Sequence, residues 1–438
     1  MAESENLRFI VRPGGSLSGQ LRVPGDKSIS HRSIMLGSLA EGETEVAGFL
    51  EGEDSLATLS AFRAMGVQIE GPDNGKVRIQ GVGLQGLKAP ADALYLGNSG
   101  TSMRLMSGLL AGQAFDTTLT GDVSLSGRPM KRVVEPLTTM GAAIATTATG
   151  TAPLRIQGGA SLAGIDYNMP VASAQVKSSL LLAGLYASGT TCVSEPAPTR
   201  DHTERMLAGM GYAVRREGNR VCLDGGGVLH AIAIDIPADI SSAAFFLVAA
   251  SIAPDSELLL EHVGINPTRT GCIDILQRMG ADITVMNERD VGGEPVADLR
   301  VRSAQLQGIE IPPEFVPLAI DEFPVIFVAA ACAQGRTILT GAEELRVKES
   351  DRIQVMADGL KTLGVNAEPT PDGMIIEGGP ISGGCVDSHG DHRIAMAFSM
   401  AALRASATIE INDCANVNTS FPGFVSQAGR VGLGIRTG

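Results

Sequence analysis

Cations and carboxylates are gathered at a few places in this 438-residue chain, each beside small polar residues. Gly25-Asp26-Lys27-Ser28 leads to Arg32, and Asn98-Ser99-Gly100-Thr101 leads to Arg104. Ser126-Gly127-Arg128-Pro129 carries a single Arg, and Ser173-Ala174-Gln175 leads to Lys177. Arg32 follows Ser28 by one helical turn, so the two share a face and suit an anion. A nucleotide phosphate loop needs Gly directly before its Lys, and Asp26 stands there. A serine-hydrolase elbow is excluded too, because Thr101 occupies the place of its last Gly. Proton-transfer chemistry points elsewhere. Asp321 ends an apolar stretch, where a carboxylate is costly unless paired, so it reads as functional. Glu349, between Lys348 and Arg352, has the surroundings of an acid–base group. Arg393, in Gly390-Asp391-His392-Arg393, adds a cation at the start of an apolar helix. The run Arg200-Asp201-His202-Thr203-Glu204-Arg205 reads, taken alone, as a solvated helix start.

Six polar clusters, those at Lys27, Gly100, Gln175, Asp239, Asp321 and Arg393, open the copies of a six-fold repeat. Met65-Gly66, Met140-Gly141, Met210-Gly211, Met279-Gly280, Leu363-Gly364 and Val431-Gly432 mark a period of roughly seventy residues, longer than a simple solenoid's. Each copy reads as strand, helix, strand, helix, strand, strand. The polar cluster lies at the N-terminus of the first helix, where free N–H groups and a partial positive charge favour anions. A cluster without a cation, such as Asp239-Ile240-Ser241-Ser242, reads as a helix cap. In the first copy the expected helices are 28–40 and 55–65, and the expected strands are 21–23, 43–49, 67–70 and 76–80. Each tail strand runs into a Gly-rich turn. The sixth copy lacks a tail strand, and the N-terminal Leu7–Gly19 stretch has that form, so residues 1–21 are expected to pair with the last repeat. The fold class is therefore α/β (α+β), with two domains of three βαβαββ repeats each. Residues 22–233 make one domain; residues 1–21 with 234–438 make the other. The two crossings near 22 and 234 form a double hinge that permits closure over a ligand.

A net charge of -14 argues against a nucleic-acid binder. No apolar run reaches transmembrane length, and the acidic N-terminus has no leader pattern, so a cytoplasmic location is expected. Apolar residues make up 44% of the chain, without Trp, which predicts cores of Leu, Ile, Val, Met and Ala. The cysteines, at 192, 222, 272, 332, 385 and 414, are scattered with no CxxC, which predicts free buried thiols. No metal-ligand set is evident around His389 and His392.

Together, GDKSISHR, GNSGT, RPM, SAQVK, RVKESDR and DHRIAM resemble the 5-enolpyruvylshikimate-3-phosphate synthase family (3-phosphoshikimate 1-carboxyvinyltransferases) along essentially the whole chain. The combination of GDKS, SAQVK, RDHTE and NPTR (Asn266 to Arg269) looks like its class II branch. The resemblance implies two inside-out α/β domains closing on shikimate 3-phosphate and phosphoenolpyruvate. It assigns Lys27, Ser28, Arg32, Ser173, Ala174, Gln175, Arg200, Asp321 and Lys348 to the shikimate 3-phosphate site. It assigns Lys27, Gly100, Arg128, Gln175, Arg352 and Arg393 to the phosphoenolpyruvate site. Lys27, Asp321 and Glu349 carry the proton transfers, and no metal or organic cofactor takes part. The implied partners are small anions, not nucleic acid or membrane, and the implied state is a monomer. Two positions depart from the commoner branch: Thr419 stands where that branch has Lys, and Ala174 where it has a second Ser.

The rivals are the enolpyruvyl transferase acting on UDP-N-acetylglucosamine and a non-catalytic anion-binding protein. The first carries a reactive Cys in the loop matching residues 121–129, and this loop has none. The second has no need of Lys27, Asp321, Glu349 and three arginines together. The double hinge predicts a smaller radius of gyration with shikimate 3-phosphate and glyphosate than without them. Small-angle scattering measures it, and an unchanged radius counts against closure.

Overall fold

The computed structural model describes residues 7–438. The chain divides into two compact units. One runs up to Pro24 and resumes over Pro237–Asp290 and Pro295–Gly438; the other is Gly25–Ile236 with Val291–Glu294. Each has its own core.

Every repeat contributes an inner and an outer helix. The inner helices are Lys27–Leu39, Gly100–Ala111 and Ala174–Gly184 in one unit. In the other they are Ile240–Ile252, Phe323–Cys332 and His392–Ala401. Ile240–Ile252 is apolar on all sides, and every residue in it is buried; such a helix has no face to give to water. The outer helices are amphipathic. Lys131–Thr139 buries Val133, Pro136 and Leu137 and exposes Lys131 and Arg132. The recurring Met-Gly signature marks the ends of the outer helices. Gly66, Gly141, Gly211, Gly280, Gly364 and Gly432 all have φ between 83° and 118°, the left-handed conformation that ends a helix and that other residues resist.

The sheets are small and mixed. In the second repeat Leu94–Tyr95 lies parallel to Thr117–Thr120, which is antiparallel to Leu154–Gln157, and Ala143–Ala145 completes the sheet. The Gly-rich tails have a steric origin. A Cβ on Gly81, Gly225 or Gly378 would fall 2.1, 1.9 or 1.7 Å from the carbonyl oxygen of Ala40, Ala187 or Ala333. The tail strands thus press against the backbone just beyond the inner helices.

The N-terminal segment divides its pairing. Phe9–Val11 inserts between Ile409–Asn412 and Ile435–Thr437 in the last repeat, as the missing tail strand. Ser18–Leu21 instead lies parallel to Glu257–Leu260 of the fourth repeat. Ala233–Asp235 correspondingly lies parallel to Glu45–Ala47 of the first. Each opening strand therefore stays in the unit the chain is leaving, while the helix after it belongs to the next unit. The expected strand at 21–23 lies at Ser18–Leu21, and the expected helices at 28–40 and 55–65 lie at Lys27–Leu39 and Glu53–Ala64.

One expectation is overturned. Cys192 and Cys222 form a disulfide. Antiparallel pairing of Thr190–Ser194 with Arg220–Asp224 sets them directly opposite each other, an adjacency that a spacing of 30 residues does not reveal. Cys272, Cys332, Cys385 and Cys414 are free thiols, and Cys385 is exposed.

Buried His31 links three helices. Its Nδ1 hydrogen-bonds Thr58 Oγ1 at 2.8 Å, Thr58 meets Ser102 Oγ at 2.6 Å, and Ser102 donates to Ser99 Oγ at 2.7 Å. Burial, then the charges of Lys27 and Arg32, hold its pKa well below 6.5. Above pH 6.5 the ring is neutral folded and unfolded, so its titration adds nothing to stability. Below that, the unfolded chain takes up a proton that the folded chain refuses, and stability falls by up to about 1.4 kcal/mol per pH unit. Urea unfolding near pH 7.5 and pH 5.5 should therefore show a larger loss for the parent than for His31→Asn. Equal losses would mean that His31 is not held neutral.

Candidate active site

In the Gly25–Ile236 unit the predicted residues gather at the starts of the inner helices. Asp26 caps the first helix, accepting from the Ile29 N–H at 2.9 Å, which puts Lys27 and Ser28 in its opening turn. Lys27 pairs with the buried carboxylate of Asp54 from the neighbouring outer helix. Arg32, one turn on, is 3% exposed. Its guanidinium donates to Thr203 Oγ1 at 2.6 Å, Ser178 Oγ at 2.8 Å and the Ser28 carbonyl at 2.9 Å. Burial brings its pKa down to about 10, against the carboxylates of Glu204 and Asp26.

The second and third inner helices are capped by serines. Ser99 Oγ accepts from the Ser102 N–H at 3.1 Å, and Ser173 Oγ from the Val176 N–H at 3.3 Å. Gly100 and Ala174 are the first helical residues behind those caps. Gln175 joins the two helices, donating to Thr101 Oγ1 at 3.0 Å and accepting from Arg104. Arg128 is not loose loop charge. It is held by the Asn98 carbonyl at 3.2 Å, the Asn98 side chain and Ser124 Oγ at 3.2 Å. A Cβ on Gly100 would lie 3.2 Å from Arg128 Nη1 and 3.3 Å from Arg104 Nη1, so the glycine leaves room for two guanidinium tips. Arg200 is half-buried beside Arg32, whose proton affinity its charge lowers. The helix start after it is not solvated: Asp201, His202, Thr203 and Glu204 are all buried.

In the other unit a second cluster forms around Asp321. Its Oδ1 lies 3.4 Å from Lys348 Nζ and 3.4 Å from Arg352 Nη1, while its backbone carbonyl accepts from Arg393 Nη1 at 3.0 Å. Arg352 is 1% exposed. It also binds Glu349 at 2.6 Å and Asp391 at 2.8 Å. Burial works to lower its proton affinity, but Asp391, Glu349 and Asp321 together raise it above the ordinary value. Burial acts in the opposite sense on Asp391, yet Arg352 keeps that carboxyl below the usual carboxylate range. Asp391 meanwhile caps the helix that carries Arg393, accepting from its N–H at 2.9 Å. Asp239 caps its own helix at the Ser241 N–H, 2.9 Å away, and also pairs with buried Arg269 at 3.1 Å.

Each unit thus brings its share of the predicted residues together. Asp54, Arg104 and Asp391 were not singled out in the sequence as partners, yet they hold Lys27, Gln175 and Arg352. Arg104 had a signal, one helical turn beyond Gly100. Asp54 had none, because its partner lies on another helix. Thr419 is 4% exposed and donates to the Asn416 carbonyl at 2.7 Å, so it supplies no charge.

Helix starts dressed with cations and, in one of the units, a carboxylate held among them are the equipment of an enzyme that handles small anions. Residues 11–427 match the family of EPSP synthase (3-phosphoshikimate 1-carboxyvinyltransferase). The chain is 72% identical to the 3-phosphoshikimate 1-carboxyvinyltransferase of Alkalilimnicola ehrlichii, over 99% of its own length and 97% of that protein's. It is also 72% identical to that of Methylococcus capsulatus, covering 98% and 99% of the two chains. The solved EPSP synthase of Acinetobacter baumannii matches with a TM-score of 0.90 at 60% identity, over 99% of this chain and 100% of that one. The enolpyruvyl transferase NikO of Streptomyces tendae, at 17% identity and a TM-score of 0.81 over 99% of each chain, shares the fold. The chain belongs to the EPSP synthase family.

Proposed function

We propose that the chain transfers the enolpyruvyl group of phosphoenolpyruvate to the 5-hydroxyl of shikimate 3-phosphate and releases phosphate, a step in chorismate and aromatic amino acid biosynthesis. The observation that carries the reading is a carboxylate, Asp321, within 3.4 Å of two cations in a chain 72% identical throughout to 3-phosphoshikimate 1-carboxyvinyltransferases. Nothing favours the transferase acting on UDP-N-acetylglucosamine.

The reaction is an addition followed by an elimination. Asp321 accepts the proton of the 5-hydroxyl as its oxygen bonds to C2 of phosphoenolpyruvate and C3 gains a proton. The tetrahedral ketal then loses phosphate from C2 and a proton from C3, which restores the double bond. Lys27 and Glu349 carry the protons on the phosphoenolpyruvate side. Lys27, Arg128, Arg352 and Arg393 hold its carboxylate and phosphate; guanidinium groups suit both because they donate in pairs. Gly100 and Gln175 complete that subsite. Ser28, Arg32, Ser173, the Ala174 backbone, Gln175, Arg200 and Lys348 hold shikimate 3-phosphate together with Lys27 and Asp321. The same reading has the enzyme act as a cytoplasmic monomer on small anions, without metal or organic cofactor.

Asp321→Asn keeps the shape and removes the base, so kcat should fall roughly 100- to 10,000-fold while binding of shikimate 3-phosphate changes far less. Phosphate release under saturation and a direct binding titration separate the two, and near-normal turnover would sink the assignment. Gly100→Ala forces the Arg128 and Arg104 tips to yield by a few tenths of an ångström. Overpacking by a methyl costs about 1–3 kcal/mol, roughly 5- to 150-fold in affinity. Glyphosate is longer than phosphoenolpyruvate, so its inhibition constant should rise much more than the phosphoenolpyruvate KM. Equal shifts in both constants would mean that Gly100 does not discriminate between them.

A further inference from the structure

Lys177 has no part in the chemistry above, yet it is fully buried. It projects from the inner helix whose first turn carries Ala174 and Gln175. Its ammonium lies 3.0 Å from Glu195 Oε2 and 2.8 Å from Glu204 Oε1, and donates to the Thr199 carbonyl at 3.5 Å. Those three residues bracket Arg200. Glu195 also accepts from Thr199 Oγ1 at 2.6 Å and pairs with Arg216 at 3.3 Å. Arg216 reaches Asp201 at 3.7 Å, and Asp201 binds Arg205 at 2.9 Å. The backbone on both sides of Arg200 is thus tied to one buried cation and its carboxylates.

Stability alone is a weak reason for such a cluster. Burying three charges costs several kcal/mol per ion, and well-packed apolar residues often do as well or better. The geometry points to a different role: Lys177 is a positioning residue for recognition of the 3-phosphate. It holds the 195–204 segment, and with it Arg200, in place for that phosphate. The inference rests on the reading that Arg200 contacts the phosphate of shikimate 3-phosphate.

The test is a mutant cycle on the full-length enzyme. Lys177→Met strands two carboxylates and is liable not to fold. Glu195→Gln keeps the shape, removes one arm of the clamp and carries the test in that event. Arg200→Ala comes first, and should raise the KM for shikimate 3-phosphate. Glu195→Gln should then raise the same KM by about 5- to 30-fold, with the phosphoenolpyruvate KM within about twofold of the parent. In the Arg200→Ala background it should add nothing, because the group it positions is gone. A general weakening of the fold would instead raise both KM values, or repeat the same fold-change in both backgrounds; either result overturns the proposal. If Arg200→Ala leaves the KM for shikimate 3-phosphate unchanged, the reading of Arg200 fails and the proposal falls with it. If Arg200→Ala raises that KM and Glu195→Gln does not, the positioning role alone fails.

Discussion

The arrangement depends on the positive ends of the inner helices. Buried along their length, these helices have only their N-terminal turns left for chemistry, and within each unit those turns are neighbours. Ser241 donates to Glu322, and Gln175 donates to Thr101. Exposed N–H groups and a partial positive charge at each end demand compensation. The two units answer differently. In one, carboxylates stand at all three capping positions, Asp239, Glu322 and Asp391, and buried Arg269 and Arg352 pair with them in turn. In the other, two caps are the neutral Ser99 and Ser173, so the positive field there is left for a ligand.

Legibility in the sequence followed how local each feature is. The six outer-helix ends could be read because a left-handed residue after a helix is a matter of neighbours, and glycine fills it each time. The inner helices could be read from apolar residues at helical spacing behind a polar opening cluster. The buried ion pairs could not. Glu195 and Glu204 lie 18 and 27 residues from Lys177, and no periodicity joins them, so the charged run after Arg200 looked like surface. The disulfide escaped for the same reason, since strand register alone makes Cys192 and Cys222 neighbours.

The departures from the commoner branch fit this frame. Ala174 begins its helix behind a serine cap, where the first-turn N–H groups come from the backbone whatever side chain stands there. Thr419 turns its hydroxyl back to its own chain and brings no charge. The cations around Asp321 are Lys348, Arg352 and Arg393.

The traded strands bear on the order in which the chain is made. The Gly25–Ile236 unit holds a nearly unbroken stretch, so it can fold soon after Ile236 leaves the ribosome, wanting only Val291–Glu294. Domains emerging from synthesis generally fold as units, the N-terminal one first. The other unit cannot follow that order. Phe9–Val11 finds both strand partners far later in the chain, within Ile409–Asn412 and Ile435–Thr437. Its edges stay unpaired until both of those strands have been made, so the unit that the chain enters first is completed after the other.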